Sequence, residues 1–186
     1  GAPSAGNAAL GKGLLELIET PVLHTPESQL HLGFWAPMMM WAILETFPVF
    51  SEADRLRIVR FLYDVLVSEE GAKNRGLIRM GETELPLQNH QTFCAIGLTF
   101  GAAYFGRHYK LPEVREWRAL VDRLFRITAT CSKPICDNNA HGWYTTEHFA
   151  TYALLTGNTA FFDSGMARLA AERAVPSPVT ETLWRR

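Results

Sequence analysis

The stretch Asp137-Asn138-Asn139-Ala140-His141-Gly142-Trp143-Tyr144-Thr145-Thr146-Glu147-His148 sets amides, two imidazoles, an indole, a phenol and carboxylates directly ahead of an apolar run. Gln88-Asn89-His90-Gln91 repeats that chemistry on a smaller scale, again ahead of an apolar run. Asn, His and Tyr without a zinc pattern or a nucleophilic serine suit one reaction well: removal of a proton α to a carboxylate, followed by β-elimination. That proton is weakly acidic. Amide and imidazole donors must neutralise the neighbouring carboxylate, and a base and an acid must then serve the proton and the leaving oxygen. Asn89, His90 and Asn139 are the candidate donors, with His141 and Tyr144 as candidate base and acid. His141 and Tyr144 stand on one face if a helix has already begun there. A free phenol titrates near pH ~10, so Tyr144 would need a cation such as Arg75, Arg79 or a protonated histidine to act as base at neutral pH. The balance leans to His141 as base and Tyr144 as acid.

The elements that must hold these groups read as helix after helix, with little alternation of period two. An apolar helix is expected over about Leu30 to Phe47, with Pro37 in its first turn or marking its start. Ser51 caps a second helix, with Asp54 in its first turn and Leu56, Val59, Tyr63 and Leu66 turned inward, and Gly71 closes the pair. Ala72 to Gln88 reads as a long loop carrying Arg75 and Arg79, and loops of that length in compact domains are usually functional. The next pair is an apolar helix over Thr92 to Phe105 stopped by Gly106, then a partner opened by Pro112 that buries Val114, Trp117, Leu120, Val121, Leu124 and Phe125. Its glycines allow close helix approach. A third pair runs from Tyr144 to Leu155, turns at Gly157-Asn158 and returns over Thr159 to about Ala174.

Helical hairpins recurring at roughly 50 to 60 residues predict an all-α fold of repeated helical hairpins, an open solenoid or part or all of an α/α toroid. Residues 1–175 form that helical domain, and 176–186, opening with Pro176-Ser177-Pro178, read as a tail or linker. His31, His90 and His141 each fall near the start of an inner helix, so the repeat places them at one rim. Gln88, Glu147, Trp143, Arg75 and Arg79 join them as candidate substrate-binding residues, as do His31 and Trp35. Trp35 and Trp41 read first as packing, whereas the polar neighbours of Trp143 also suit a sugar platform.

Asn138-Asn139-Ala140-His141-Gly142-Trp143-Tyr144-Thr145-Thr146-Glu147, with Tyr152-Ala153-Leu154-Leu155-Thr156-Gly157-Asn158 behind it, resembles the Asn-Asn-His-Gly-x-Trp-Tyr segment and following helix of alginate-lyase-type polysaccharide lyases. The Asn89-His90 helix and its continuation through Gly106 and Trp117 are similar to the Asn-His helix of the wider heparinase-like lyases. The resemblance covers roughly Gln88 to Ala174. It departs at Ala140, which separates Asn139 from His141, and at the missing residue between Gly142 and Trp143. It implies an α/α toroid, an anionic uronic-acid polysaccharide or oligosaccharide as substrate, no cofactor, and a secreted or periplasmic location. The same resemblance allows Tyr144 to serve as both base and acid. Such lyases usually close the ring with more than three hairpins.

Two other readings fit the same residues. Asp137 and Glu147 suit an inverting glycoside hydrolase on a helical toroid, one as acid and one activating water. A non-catalytic hairpin-repeat scaffold would use the aromatic residues as core alone.

Composition narrows the partners. The chain has 186 residues, 47% of them apolar, and a net charge of −1, which gives no general attraction to nucleic acid. No apolar run reaches the ~18 to 20 residues that a bilayer span needs. Gly1 to Gly6 lacks the basic and apolar regions of a signal peptide. The three cysteines fit no zinc pattern: Cys94 reads as a small buried hydrophobe, while Cys131 and Cys136 flank a turn-like segment that a disulfide can close in an oxidising compartment. Gly6 to Gly13 mimics a phosphate-binding loop, but Gly13 stands where Ser or Thr must reach magnesium and no strand precedes it.

Overall fold

A computed structural model describes residues 5–46, 49–83, 89–130 and 139–174, with backbone alone at several helix ends, 139–143 among them. Within those residues the chain is all helical and contains no strand. The elements are α1 (Ala5–Ile18), a 3₁₀ turn (Pro21–His24), α2 (Pro26–Thr46), α3 (Glu52–Val67), α4 (Glu69–Thr83), α5 (Asn89–His108), α6 (Glu113–Thr128), α7 (Asn139–Thr156), α8 (Ala160–Asp163) and α9 (Met166–Ala174).

Three apolar helices run side by side in one direction. Phe34 of α2 meets His90 and Phe93 of α5, Trp41 meets Phe100, and Glu45 meets His108, so both chains advance together. Both α5 and α7 run opposite to α6: Phe105 packs on Trp117, and Phe125 packs on Phe149 and Tyr152. α5 and α7 are therefore parallel as well. The crossing of α2 and α5 depends on Gly97, where a Cβ would strike the Gly33 carbonyl oxygen. Pro37 has no N–H for that carbonyl, and the bare Gly97 Cα leaves room for it.

α6 buries the face its sequence promises: Val114, Trp117, Leu120, Val121, Leu124 and Phe125 are each at most 6% exposed, and each such side chain stabilises the fold by roughly 1.5–3 kcal/mol. The Ser51 cap also forms, its Oγ accepting from the Asp54 N–H at 3.2 Å and donating to the Asp54 carboxylate at 2.7 Å. Gly157 takes the expected turn with φ +75°.

Other expectations are corrected. α2 starts at Pro26, which fills the first-turn position that proline favours, and Pro37 lies well inside. The α3 face is wider than expected and shifted at its start: Val59 and Leu66 are buried as expected, Ile58, Phe61, Leu62 and Val65 join them, Leu56 is half exposed and Tyr63 sits between. Residues 72–83 are helix rather than loop. Their inward face carries Asn74 beside Ile78, so its periodicity is hidden from a count of apolar residues. Gly71 does not close a hairpin but opens α4, where a Cβ would collide with the Leu66 carbonyl. Ser68 Oγ accepts from the Gly71 N–H there at 3.1 Å. α5 passes Gly106 and ends at His108, with the Tyr109 and Lys110 N–H groups returning to the Phe105 carbonyl and Lys110 left-handed at φ 52°. The return after Gly157 is two helices, broken at Gly165 with φ +81°. α1 occupies the glycine-bearing segment that mimics a phosphate loop. The tail, 176–186, and the Cys131/Cys136 pair lie outside the described residues.

Candidate functional site

The starts of α2, α5 and α7 meet in an aromatic cluster centred on Phe93, which is 6% exposed. Its ring lies 5.7 Å from Phe34, 4.8 Å from Trp35, 5.5 Å from Tyr144 and 4.3 Å from His148. His90 packs on Phe34 at 5.3 Å, and His31 approaches the same ring edge-on at 5.7 Å. Helical spacing creates this convergence, because His31, Phe34 and Trp35 share a face of α2, His90 and Phe93 a face of α5, and Tyr144 and His148 a face of α7. Trp35 and Tyr144 remain 45% and 40% exposed, so Trp35 is a rim residue more than core. His31 and His90 are exposed too. Rings packed on one side with polar tips in water are held in orientation yet open to a ligand.

Hydrogen bonds refine the arrangement. His31 Nδ1 lies 2.9 Å from the Glu27 carbonyl, which can only accept, so Nδ1 carries the proton and the neutral ring presents Nε2 as its base. His148, 5% exposed, contacts the Thr92 hydroxyl through Nδ1 at 2.8 Å, and Thr92 Oγ1 donates to the Asn89 carbonyl at 3.0 Å. With that hydroxyl proton committed, His148 Nδ1–H is the donor to Thr92. The chain of bonds ties α7 to the first turn of α5, where Asn89 and His90 stand. Gln91 next to them is 5% exposed, and its Oε1 has no donor among the described residues, a cost of about 1–3 kcal/mol.

His90, Tyr144, His31 and Trp35 thus gather at one rim, with Asn89 in the first turn beside them. Glu147 is exposed on α7, three residues beyond Tyr144. Asn139, His141 and Trp143 lie in the first turns of α7, where the backbone alone is described, and Gln88 lies outside the described residues. Arg75 and Arg79 have partners elsewhere. Arg75 donates to the Leu66 carbonyl, and burial pulls its pKa below the ordinary guanidinium value, while Arg79 pairs with Glu116 of α6 at 2.9 Å. Cys94 donates to Asn74 Oδ1 at 3.4 Å, and burial pushes its thiol up to about 12, so it remains an inert, protonated core residue. His148 is the group that sequence reading left out of the site. Its place four residues after Tyr144 was the available signal.

A separate cavity of about 530 Å³ opens away from the rim, between α6 and the end of α7, lined by Asp122, Arg123, Arg126, Tyr152, Thr156 and Asn158. Among the described residues no cluster of His, Cys, Asp or Glu could hold a metal ion, and no helix is long and apolar enough to cross a membrane. No protein-family model, curated protein or solved structure matches the chain significantly.

Proposed function

We propose that the rim formed by α2, α5 and α7 is the active site of a polysaccharide lyase that cleaves uronic-acid-containing glycans by β-elimination. The observation that carries this reading is the convergence of exposed Tyr144, packed on Phe93, and exposed His90, packed on Phe34, on two buried rings that stack on each other at 5.7 Å. In this reading Asn89 and His90, with Asn139, neutralise the uronate carboxylate as negative charge spreads from the α-carbon. His141 or Tyr144 takes the α-proton, and the other protonates the leaving glycosidic oxygen. Trp35 and Trp143 offer stacking surfaces, and His31, Gln88 and Glu147 bond sugar hydroxyls. Arg75 and Arg79 attract the polyanion at longer range, since Arg79 is already paired with an exposed carboxylate whose hold is weak.

The parallel course of α2, α5 and α7 supports an α/α toroid of the alginate-lyase and heparinase-like kind, with these helices as the inner row. A secreted or periplasmic location accords with an extracellular anionic glycan as substrate. The test is absorbance of the unsaturated uronate during incubation with alginate, glucuronan, heparin and chondroitin. A rise on one of them supports the reading. New reducing ends without that absorbance would establish hydrolysis instead, and no reaction on any of them would leave a scaffold.

A further inference from the structure

We propose that the groove between α6 and the C-terminal end of α7 is a second, non-catalytic site that binds an acidic sugar, a polyhydroxylated carboxylate. This goes beyond the lyase reading and does not depend on it. The groove's volume of about 530 Å³ lies in the size range of small-ligand sites. Its walls differ in what they offer. On the α6 side stand two guanidiniums, Arg123 and Arg126, beside one carboxylate, Asp122. A guanidinium fork matches a carboxylate in two parallel hydrogen bonds. On the other side α7 ends at Thr156, and the carbonyl end of a helix carries partial negative charge that repels anions and accepts from hydroxyl donors.

Asp122 completes the asymmetry. One of its oxygens accepts from the Tyr152 hydroxyl at 2.5 Å, and a carboxylate has about four lone-pair sites, so it can still accept from a ligand. The donor is fixed: Tyr152 is 3% exposed, stacked on Phe125 at 4.2 Å, and burial together with Asp122 pushes its phenol up to about 12, keeping its proton in place. Asn158 is fixed likewise, with Oδ1 accepting from the Ala160 N–H at 3.1 Å. A bare anion would satisfy only the arginines, and a neutral sugar only Asp122 and the helix end. A uronate satisfies both, its carboxylate toward Arg123 and Arg126 and its hydroxyls toward Asp122 and the helix end. The site sits two turns along α7 from Tyr144, roughly 12 Å at ~1.5 Å per residue, so it is distinct from the rim.

The test is an amide chemical-shift titration of the full chain with sodium glucuronate, with acetate as the hydroxyl-free anion and glucose as the uncharged sugar. Saturating shifts at Arg123, Arg126, Gly157 and Asn158 are expected with glucuronate in the millimolar range, at least fivefold tighter than with either control. Arg126→Ala should weaken binding severalfold, the double Arg123→Ala, Arg126→Ala variant should abolish it, and Asp122→Asn should erase the preference for glucuronate over acetate. Equal binding of acetate and glucuronate, shifts confined to the His90 and Tyr144 rim, or no saturation would each overturn the proposal. No turnover is read, so failure here and failure of the elimination chemistry are separate results.

Discussion

At the C-terminal ends of α2 and α5, His108 is bonded to Glu45 at 2.6 Å, and Tyr104 is 3% exposed with its phenol pushed by burial up to about 12. At the N-terminal ends of the same helices, His31 and His90 are exposed, and Tyr144 joins them from α7. The residue types match, but their surroundings do not. The His108–Glu45 bond ties α5 to α2, and beside it the buried Tyr104 packs on His108 and keeps its proton. At the other end His31 bonds only within its own helix, through Nδ1, and presents Nε2, while His90 and Tyr144 pack at a tilt on Phe34 and Phe93 and stay exposed. Under the proposed function, position along the helix bundle, rather than residue type, is what separates chemistry from scaffolding.

The largest expected difference between the two ends is in turnover. On whichever glycan yields the unsaturated product, Asn89→Ala or His90→Ala should lower kcat by about 10² to 10³, the usual cost of one donor to developing charge. His108→Ala should leave kcat unchanged. A rise in KM alone for the first two variants would make them substrate holders, and an equal loss for all three would dissolve the comparison.

Next in size are effects on the frame. Gly97→Val drives a side chain into the Gly33 carbonyl, and a loss of roughly 1–3 kcal/mol or more is expected from the urea midpoint. Thr92→Val removes the acceptor of His148 Nδ1 on α5 and should cost about 1–3 kcal/mol, with kcat falling beyond what stability explains if this bond sets the register of α5 and α7. A stable Thr92→Val variant with normal kinetics would show that this bond does not align the rim.

The smallest effect belongs to the C-terminal end. The hydrogen bond from His108 holds the Glu45 carboxyl below its ordinary value of 4.5, so its contribution is present above that pH and lost as the pH falls through the lowered value. Glu45→Gln should remove this acid-limb dependence while costing within about 1 kcal/mol at neutral pH, as a partly exposed pair implies. Denaturation at several acid pH values checks it, and an unchanged acid limb would assign that stability elsewhere.

The helices that were legible in the sequence are those whose burial is purely apolar. α6 shows its inward face in every turn, and Ser51 with Asp54 announces the start of α3. α4 stayed hidden because Glu70 and Asn74 are buried on its inner face, Asn74 Nδ2 reaching the Leu30 carbonyl at 3.0 Å across a separation of 44 residues. A polar residue satisfied by a distant partner looks like a surface residue until the partner is placed. The same reason hides His148, whose partner Thr92 lies 56 residues away. The candidate rim was legible as residue types near helix starts, since parallel helices of similar register carry such starts to one end. The engagement of Arg75 with the Leu66 carbonyl was not, because only the packed corner between α3 and α4 creates that acceptor.

Tyr144→Phe tests the central claim most directly, because it keeps the ring on Phe93 while removing the one phenolic proton at the rim. The measurement is the initial rate of unsaturated-uronate absorbance for wild type and variant, alongside circular dichroism to show that both are folded. The account predicts a folded variant with turnover reduced by at least about 10². A folded variant with near-normal turnover would contradict it.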